Sequence, residues 1–291
     1  MVIQELAPEI FQQFQQIIGH NRLSHAYLFA GDYANYDMAI YLAQALFCEQ
    51  PKDHLPCGHC RTCHLIAQED YADVTLLEPA GQVIKTETVR DMLRQFSSTG
   101  YESNRQVFIV KDCEKMHTNA ANSLLKYIEE PQSDSYIFLL TNDENQVLPT
   151  IKSRTQIFRF PKNQDYLVQQ AQQQGLLKSQ AQLLAQLAKN PAHLEVLMAD
   201  NKLLDLINGC QRFVDLLLSQ KAQAYIEVSR ISQLAPEKQD QDRTFQLLTV
   251  LLSSQYGAPW ALHYLEGLYQ ARLMWQSNVS FQNALEYMVI T

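Results

Sequence analysis

The sequence predicts a domain with a mostly parallel β-sheet and crossover helices, followed by a region built of helices alone. Up to about residue 160, short apolar stretches typical of buried strands alternate with stretches of helical periodicity. From Gln164 onward, nearly every window has the helical period. Four cysteines between Cys48 and Cys63 are the third observation, and they predict a metal site inserted into the α/β part.

Five short apolar stretches are predicted to form the sheet. They are HAYLFA (25–30), DVTLLEP (73–79), QVFIV (106–110), SYIFLLT (135–141) and QIFRF (156–160). Helical patterns stand between them at 37–47, from Thr86 onward, and at 119–130 before Pro131. Strands joined through helices favour a parallel sheet, because each crossover returns the chain to the same end of the sheet.

The helical region contains several expected breaks between helices. They fall at Gly175, Asn190-Pro191, Asn208-Gly209, Ala235-Pro236 and 257–259. We therefore predict three domains. They are an α/β domain over 1–162 with a cysteine-rich insertion at 48–63, a small helical domain over 163–203 and a helical C-terminal domain over 204–291.

The composition is that of a folded soluble protein. Of the 291 residues, 46% are hydrophobic and 19% are charged, and this length suffices for two or three domains. There is no apolar run of about 18 residues, and the N-terminal MVIQELAPEIFQQFQQ lacks the basic start and apolar core of a signal peptide. A cytoplasmic location is therefore expected. The net charge of −8 argues against a chain that grips DNA alone, since such proteins carry a basic face.

The cysteine spacing is the strongest local pattern. Cys48-x8-Cys57-x2-Cys60-x2-Cys63 offers four thiolates, which suit tetrahedral zinc. Four thiolates leave no open coordination position, so we expect a structural zinc rather than a catalytic one. An iron–sulfur cluster and free buried thiols are the alternatives. Three neighbouring residues could replace one ligand: His54, His59 and His64.

The two remaining cysteines, Cys113 and Cys210, stand alone in apolar surroundings. We expect both side chains in the core.

The turn after the first strand has the position of a phosphate loop but not its residues. A working loop reads G-x4-G-K-[ST], in which backbone amides and the lysine hold phosphate and the hydroxyl binds magnesium. Counted from Gly31, Tyr36 stands at the second glycine, Asp37 at the lysine and Met38 at the hydroxyl. An aspartate repels phosphate, so no ATP is expected here. Taken alone, the segment favours an ordinary strand–turn–helix connection, and only the motifs that follow favour a disarmed loop.

Three later motifs follow in the order found in P-loop ATPases. KDCEKM (111–116) comes directly after a buried strand, where these ATPases carry magnesium-holding and catalytic acids, and its first residue is Lys111. NSLLKYIEEP (122–131) resembles the helix of clamp-loader subunits that ends in Leu-Glu-Glu-Pro. LPTIKSRTQ (148–156) resembles their Ser-Arg-Cys motif, with Thr155 in place of the cysteine.

The resemblance is to the clamp-loader AAA+ subunits of bacterial DNA polymerase III, and it is dense over roughly residues 14–162. It implies an AAA+-type (RecA-like) α/β domain with a zinc module, a small helical lid domain and an all-α collar domain. The gamma/tau members keep a complete phosphate loop, and the delta members lack the Ser-Arg-Cys motif. A lost phosphate loop, a kept Ser-Arg pair and a zinc module together resemble the delta-prime members.

The resemblance also implies that Arg154 is an arginine finger that acts in trans. The guanidinium would point at the ATP of an adjacent gamma/tau subunit and stabilise charge on its γ-phosphate, with Ser153 in support. The implied partners are the gamma/tau and delta subunits and, through the complex, the sliding clamp and primed DNA. The plain alternative for Arg154 is a surface ion pair between two strands.

Nearby polar residues have simpler interpretations. Thr141 ends the fourth strand at the sensor position of the family, but we expect a structural role because the chain has no ATP to sense. The spacing of Lys126, Glu129 and Glu130 favours ion pairs along their helix over contacts with a partner.

Three other functions remain as alternatives. An ATP-binding ATPase of the clamp-loader type requires nucleotide binding despite Asp37 and Met38. A zinc-containing nucleic-acid-binding module would bind DNA tightly by itself, with a steep dependence on salt. A thiol redox protein would need a reactive cysteine pair of low pKa.

Overall fold

The computed structural model describes residues 2–31, 33–96, 103–131 and 134–290. The chain divides into two compact units, residues 1–163 and 164–291. The first unit carries the sheet, and the second is helical in its described part. None of the helices in the described ranges combines the length and apolarity needed to cross a membrane.

The first unit alternates strands and helices, as the sequence predicts. Its strands are β1 (Ala26–Ala30), β2 (Val74–Leu77), β3 (Arg105–Val110), β4 (Asp134–Thr141) and β5 (Gln156–Arg159). Its helices are α1 (Val2–Leu6), α2 (Pro8–Gly19), α3 (Asn35–Phe47), α4 (Arg61–Ala67), α5 (Thr86–Phe96), α6 (Thr118–Glu129) and α7 (Pro149–Lys152), with 3₁₀ turns at Cys113–Lys115 and Glu144–Gln146. All five predicted strands are confirmed.

The five strands form one parallel sheet in the order β2-β3-β4-β1-β5. β1 lies between β4 and β5, and Ala30 at its end pairs with both Thr141 and Arg159. The α/β fold class with a parallel sheet is therefore confirmed. The segments that leave β1, β3 and β4 meet at the carboxyl edge of the sheet, where ligands bind in open α/β folds.

Both faces of β1 are buried, which explains its uninterrupted apolar sequence. Tyr27 and Phe29 lie toward α2, where the ring of Phe14 packs against theirs at centroid distances of 5.5 and 5.7 Å. Leu28 points to the opposite face and belongs to a buried cluster that includes Leu124 of α6. Helices on the two faces thus fix the position of β1, from which the turn toward α3 departs.

The second unit consists of helices in its described part. They are α8 (Gln164–Gln173), α9 (Lys178–Leu187), α10 (Pro191–Ala199), α11 (Asn201–Leu218), α12 (Gln223–Leu234), α13 (Lys238–Ser254), α14 (Ala261–Gln276) and α15 (Phe281–Ile290). The predicted division into domains over 163–203 and 204–291 stays a prediction, and its boundary falls inside α11.

One of the predicted helix breaks is wrong. Helices end and begin at the other four positions, but α11 runs straight through Asn208-Gly209. Gly209 is buried, and a Cβ there would lie 3.3 Å from Cδ1 of Leu234 on α12. The glycine therefore permits close packing of two helices, a reason for glycine that cannot be read from a local pattern.

Cys113 and Cys210 lie in the core, as the sequence predicts. The side chain of Cys113 is 3% exposed, and that of Cys210 is fully buried. Burial raises the pKa of both thiols, so both stay protonated at neutral pH.

Substitution of Gly31 tests how tightly the turn after β1 is constrained. Gly31 has φ +105°, and a Cβ there would lie 2.5 Å from the carbonyl oxygen of Phe160. We expect Gly31→Ala to lower the free energy of unfolding by roughly 2–4 kcal/mol, because it combines backbone strain with a forced displacement of Phe160. Gly81→Ala is the control, since Gly81 has φ +89° but no atom within 4 Å of its Cβ position.

The control carries the strain of positive φ alone, which costs about 1–2 kcal/mol. Urea unfolding followed by circular dichroism measures both variants. Equal losses for Gly31→Ala and Gly81→Ala would show that the approach of Phe160 does not constrain the turn.

Candidate metal centre, phosphate loop and exposed arginine

The four clustered cysteines meet between the end of α3 and the first turn of α4, in which Cys63 lies. The Sγ atoms of Cys48, Cys57, Cys60 and Cys63 all lie within 4.8 Å of one another. Cys60 and Cys63 are buried, whereas Cys48 and Cys57 are half-buried. Among the described residues, this group contains cysteines only, so none of the three neighbouring histidines joins it.

Backbone amides hold the sulfur atoms in a chain of hydrogen bonds. The N–H of Cys57 donates to Sγ of Cys48 at 3.3 Å, that of Cys60 to Sγ of Cys57 at 3.3 Å, and that of Cys63 to Sγ of Cys60 at 3.4 Å. Cys60 is also the N-cap of α4. Gly58, with φ +74°, makes the turn between the second and third cysteines. The spacing in the sequence is thus converted into a compact knuckle of sulfur ligands.

The donor set fits a tetrahedral metal ion. Sulfur ligands about 2.3 Å from zinc lie about 3.8 Å apart at tetrahedral angles, which the observed group accommodates. Burial opposes ionisation of Cys60, but donors led by the N–H of Cys63 outweigh it and lower the pKa of Cys60 to about 6. Burial raises the pKa of Cys63. A bound cation would favour the thiolate form of all four ligands and would join the end of α3 to the start of α4.

Side chains of the protein itself form a network next to the candidate phosphate loop. The Lys111 amine lies 4.1 Å from the centroid of the Tyr36 ring. The Tyr36 hydroxyl donates a hydrogen bond to Glu69, which lies just beyond α4. Lys111 forms an ion pair with Glu78 after β2, and its amine is 3.8 Å from Oε1 of Glu69. We call these four residues the Tyr36–Lys111 network. The pKa of Tyr36 is raised, mainly by burial and in addition by the hydrogen bond to Glu69.

Among the described loop residues, Asp37 and Met38 do not reproduce the lysine and the hydroxyl of a working phosphate loop. Asp37 is exposed on the first turn of α3 and brings negative charge where phosphate-binding loops have lysine. Met38, at the hydroxyl position, is fully buried in the core. Beyond β3, Asp112 has φ +48° and is engaged by the Lys115 amine at 2.9 Å and by Nδ2 of Asn142 at 3.0 Å.

Arg154 lies in the turn between α7 and β5, with 38% of its side chain exposed. Its Nε donates to the Glu129 carboxylate at the end of α6. Its Nη1 donates to the Thr150 carbonyl at 3.1 Å and to the Ser153 hydroxyl at 3.2 Å. Ser153 in turn donates to the Thr150 carbonyl at 3.1 Å, so its hydroxyl is fixed where it accepts the hydrogen bond from Arg154.

The Glu129 contact differs from the sequence prediction. The spacing of Lys126, Glu129 and Glu130 favours pairing along α6, but Glu129 instead pairs with Arg154, which lies beyond β4 in the chain. The alternative that the sequence offers for Arg154 is a surface ion pair, and the contact with Glu129 is an ion pair of this kind. Neither Glu129 nor the partners in the Tyr36–Lys111 network could be paired from the sequence, because they come from separate elements.

Thr141 has local structural contacts. It is fully buried, and its hydroxyl accepts a hydrogen bond from the N–H of Asp143 at 3.2 Å. Its carbonyl accepts one from the N–H of Gly31 at 2.8 Å. These bonds join the end of β4 to the turn after β1.

The sheet order, the glycine turn from β1 into α3 and the polar residues after β3 and β4 define the first unit as an AAA+-type α/β domain. Residues 6–164 match the family described as "DNA polymerase III, delta subunit". The chain belongs to this family, and several of its relatives carry the name DNA polymerase III subunit delta'.

Three relatives show how far the similarity extends. DNA polymerase III subunit delta' of Bacillus subtilis is 29% identical, over 98% of this chain and 96% of the relative. The subunit delta' of Pseudomonas aeruginosa is 35% identical, over 48% of this chain and 44% of the relative. DNA polymerase III subunit gamma/tau of Mycobacterium tuberculosis is 37% identical, over 48% of this chain and 25% of the relative.

Removal of one cluster thiol tests the metal centre. We expect the purified chain to hold about one metal ion, and Cys63→Ser to lose it, because four thiolates complete the coordination shell. Cys113→Ser is the matched control, since Cys113 is equally buried but lies outside the cluster. Elemental analysis of the purified proteins measures the metal, and a Cys63→Ser protein that retains its full metal content would exclude this ligand set.

Proposed function

We propose that this chain is a delta-prime-type subunit of the DNA polymerase III clamp loader that neither binds nor hydrolyses ATP and supplies Arg154 to a neighbouring ATPase subunit. The observation that carries the proposal is a pair of opposite features in one domain. Tyr36 of the candidate phosphate loop and Lys111 after β3 are engaged with each other and with carboxylates of the domain, whereas Arg154 is exposed on a short, hydrogen-bonded turn.

The residues at the candidate phosphate loop support the absence of ATP binding. ATP brings several negative charges, which a working loop meets with backbone amides, a lysine and magnesium. Here Tyr36 replaces a glycine and Asp37 replaces the lysine, while Lys111 is already neutralised by Glu78 and Glu69. A nucleotide would have to displace this network without a cation to receive it.

The exposed arginine supports a role in trans. A guanidinium is always charged and offers forked donors that match phosphate oxygens. An arginine finger stabilises the charge that develops on the transferred phosphoryl group. Arg154 lies on the surface of a chain that binds no ATP. The ATP site that it completes therefore belongs to an adjacent gamma/tau-type ATPase, and Ser153 helps to hold the guanidinium in place.

The remaining parts of the proposal concern the metal and the partners. The four cysteines hold a structural zinc, since a closed thiolate shell leaves no position for substrate. The gamma/tau and delta subunits are the ring partners, and the complex places a sliding clamp on primed DNA in the cytoplasm. The net charge of −8 favours contact with DNA through the complex rather than by the chain alone.

Hydrolysis by the assembled complex tests the finger. We expect Arg154→Ala to assemble normally and to lower hydrolysis by about 10³-fold at the ATP site that it serves, because the transition state loses a charge partner. Arg159→Ala is the matched control, since Arg159 is exposed on β5 and pairs with Glu144 of its own domain. Single-turnover hydrolysis with clamp and primed DNA measures both. Unchanged hydrolysis by an assembled Arg154→Ala complex would refute the finger.

Nucleotide titration of the isolated chain tests the loop. We expect no binding of Mg-ATP by the wild type or by Asp37→Lys, because Tyr36 still replaces a glycine of the loop and Lys111 stays paired with Glu78. Isothermal titration calorimetry measures binding, with a gamma/tau subunit as the positive control. Saturable Mg-ATP binding by the wild-type chain would instead support the ATPase alternative.

A further inference from the structure

The Arg154 guanidinium is hydrogen-bonded to the protein at Nε and Nη1 and unengaged at Nη2. Of its five N–H donors, the one on Nε bonds Glu129 and those on Nη1 bond the Thr150 carbonyl and the Ser153 hydroxyl. Within the described ranges, the two N–H groups of Nη2 have no partner. The donors therefore divide between the protein and the solvent, and the free Nη2 group is the one able to meet an external oxyanion.

The position of Glu129 at the end of α6 is electrostatically unfavourable without its ion pair with Arg154. It is the last residue of α6, and Glu130 follows it as the C-cap. Carboxylates at a helix C-terminus oppose the negative end of the helix dipole. The ion pair with Arg154 offsets this repulsion for Glu129 alone.

We infer that Glu129 is a positioning residue for Arg154, which it holds in the orientation that the neighbouring active site requires. This inference rests on the proposed function. An unrestrained arginine has many rotamers, and a group fixed before the reaction loses less freedom when the transition state forms. Glu129 restrains the guanidinium at Nε, Thr150 and Ser153 restrain it at Nη1, and Nη2 is left for phosphate oxygens.

The opposite role for Glu129 makes the opposite prediction. If its carboxylate held Arg154 back from the partner, removal of the carboxylate would free the finger and raise hydrolysis. If Glu129 positions Arg154, removal lowers hydrolysis. The sign of the change therefore decides between the two.

The experiment uses the reconstituted complex with clamp and primed DNA. The subunit carries Glu129→Ala, Glu129→Gln, Arg154→Ala or both Glu129→Ala and Arg154→Ala. We expect Glu129→Ala to lower the rate constant for hydrolysis by about tenfold with little change in KM for ATP, because a misplaced catalytic group slows the reaction step. Glu129→Gln should restore most of the rate, since its amide oxygen accepts the same hydrogen bond.

The double variant separates positioning from general damage. With Arg154 absent, Glu129 has nothing to position, so the double variant should match Arg154→Ala. Glu130→Ala is the matched control, because Glu130 is an exposed carboxylate at the adjacent position. Its hydrolysis should equal that of the wild type, and assembly of every variant is checked by gel filtration.

Each contrary outcome has a distinct meaning. If Arg154→Ala leaves hydrolysis unchanged, the proposed function fails. If Arg154→Ala lowers hydrolysis but Glu129→Ala leaves it unchanged or raises it, only the positioning role fails. A double variant slower than Arg154→Ala, or a Glu129→Gln variant as slow as Glu129→Ala, also overturns the positioning role.

Discussion

The close approach of Gly31 to Phe160 holds together the parts of the α/β unit on which its chemistry depends. The N–H of Gly31 donates to Thr141 at the end of β4, and the N–H of Phe160 donates to Ala30 at the end of β1. These two bonds fix the turn before α3 between its neighbouring strands. Because Arg154 comes just before β5, the backbone pairing of β5 with β1 determines where Arg154 lies.

The sequence predicted features whose cause is local. Buried strands need continuous apolar residues, and metal knuckles need cysteines at short spacing, so the sheet and the Cys48–Cys63 group were both identified. Features that depend on distant partners were missed. Gly209 serves a neighbouring helix rather than a break, and Glu129 pairs with Arg154 rather than along its own helix. Such partners become visible only when the chain is folded.

Two cations of the α/β unit have contrasting surroundings. Lys111 lies over an aromatic ring between two carboxylates, so its charge is neutralised within the domain. Arg154 has one carboxylate and two neutral acceptors, and part of its guanidinium faces solvent. The first arrangement uses positive charge to join segments of the fold, and the second leaves charge available to another molecule. The domain thus separates a structural cation from one that can act on a partner.

The Tyr36–Lys111 network limits which single substitutions the domain can accept at these positions. Replacement of Lys111 by an acid, a step toward a magnesium-binding position, would leave Glu69 and Glu78 facing a third carboxylate. Replacement of Tyr36 by glycine would remove the ring beneath the Lys111 amine and the donor to Glu69. Each of these two substitutions alone is therefore opposed by the residues that contact Tyr36 and Lys111 in the present structure. A magnesium- and phosphate-binding arrangement at this position would therefore require several substitutions together, because each one alone removes a contact of the present fold.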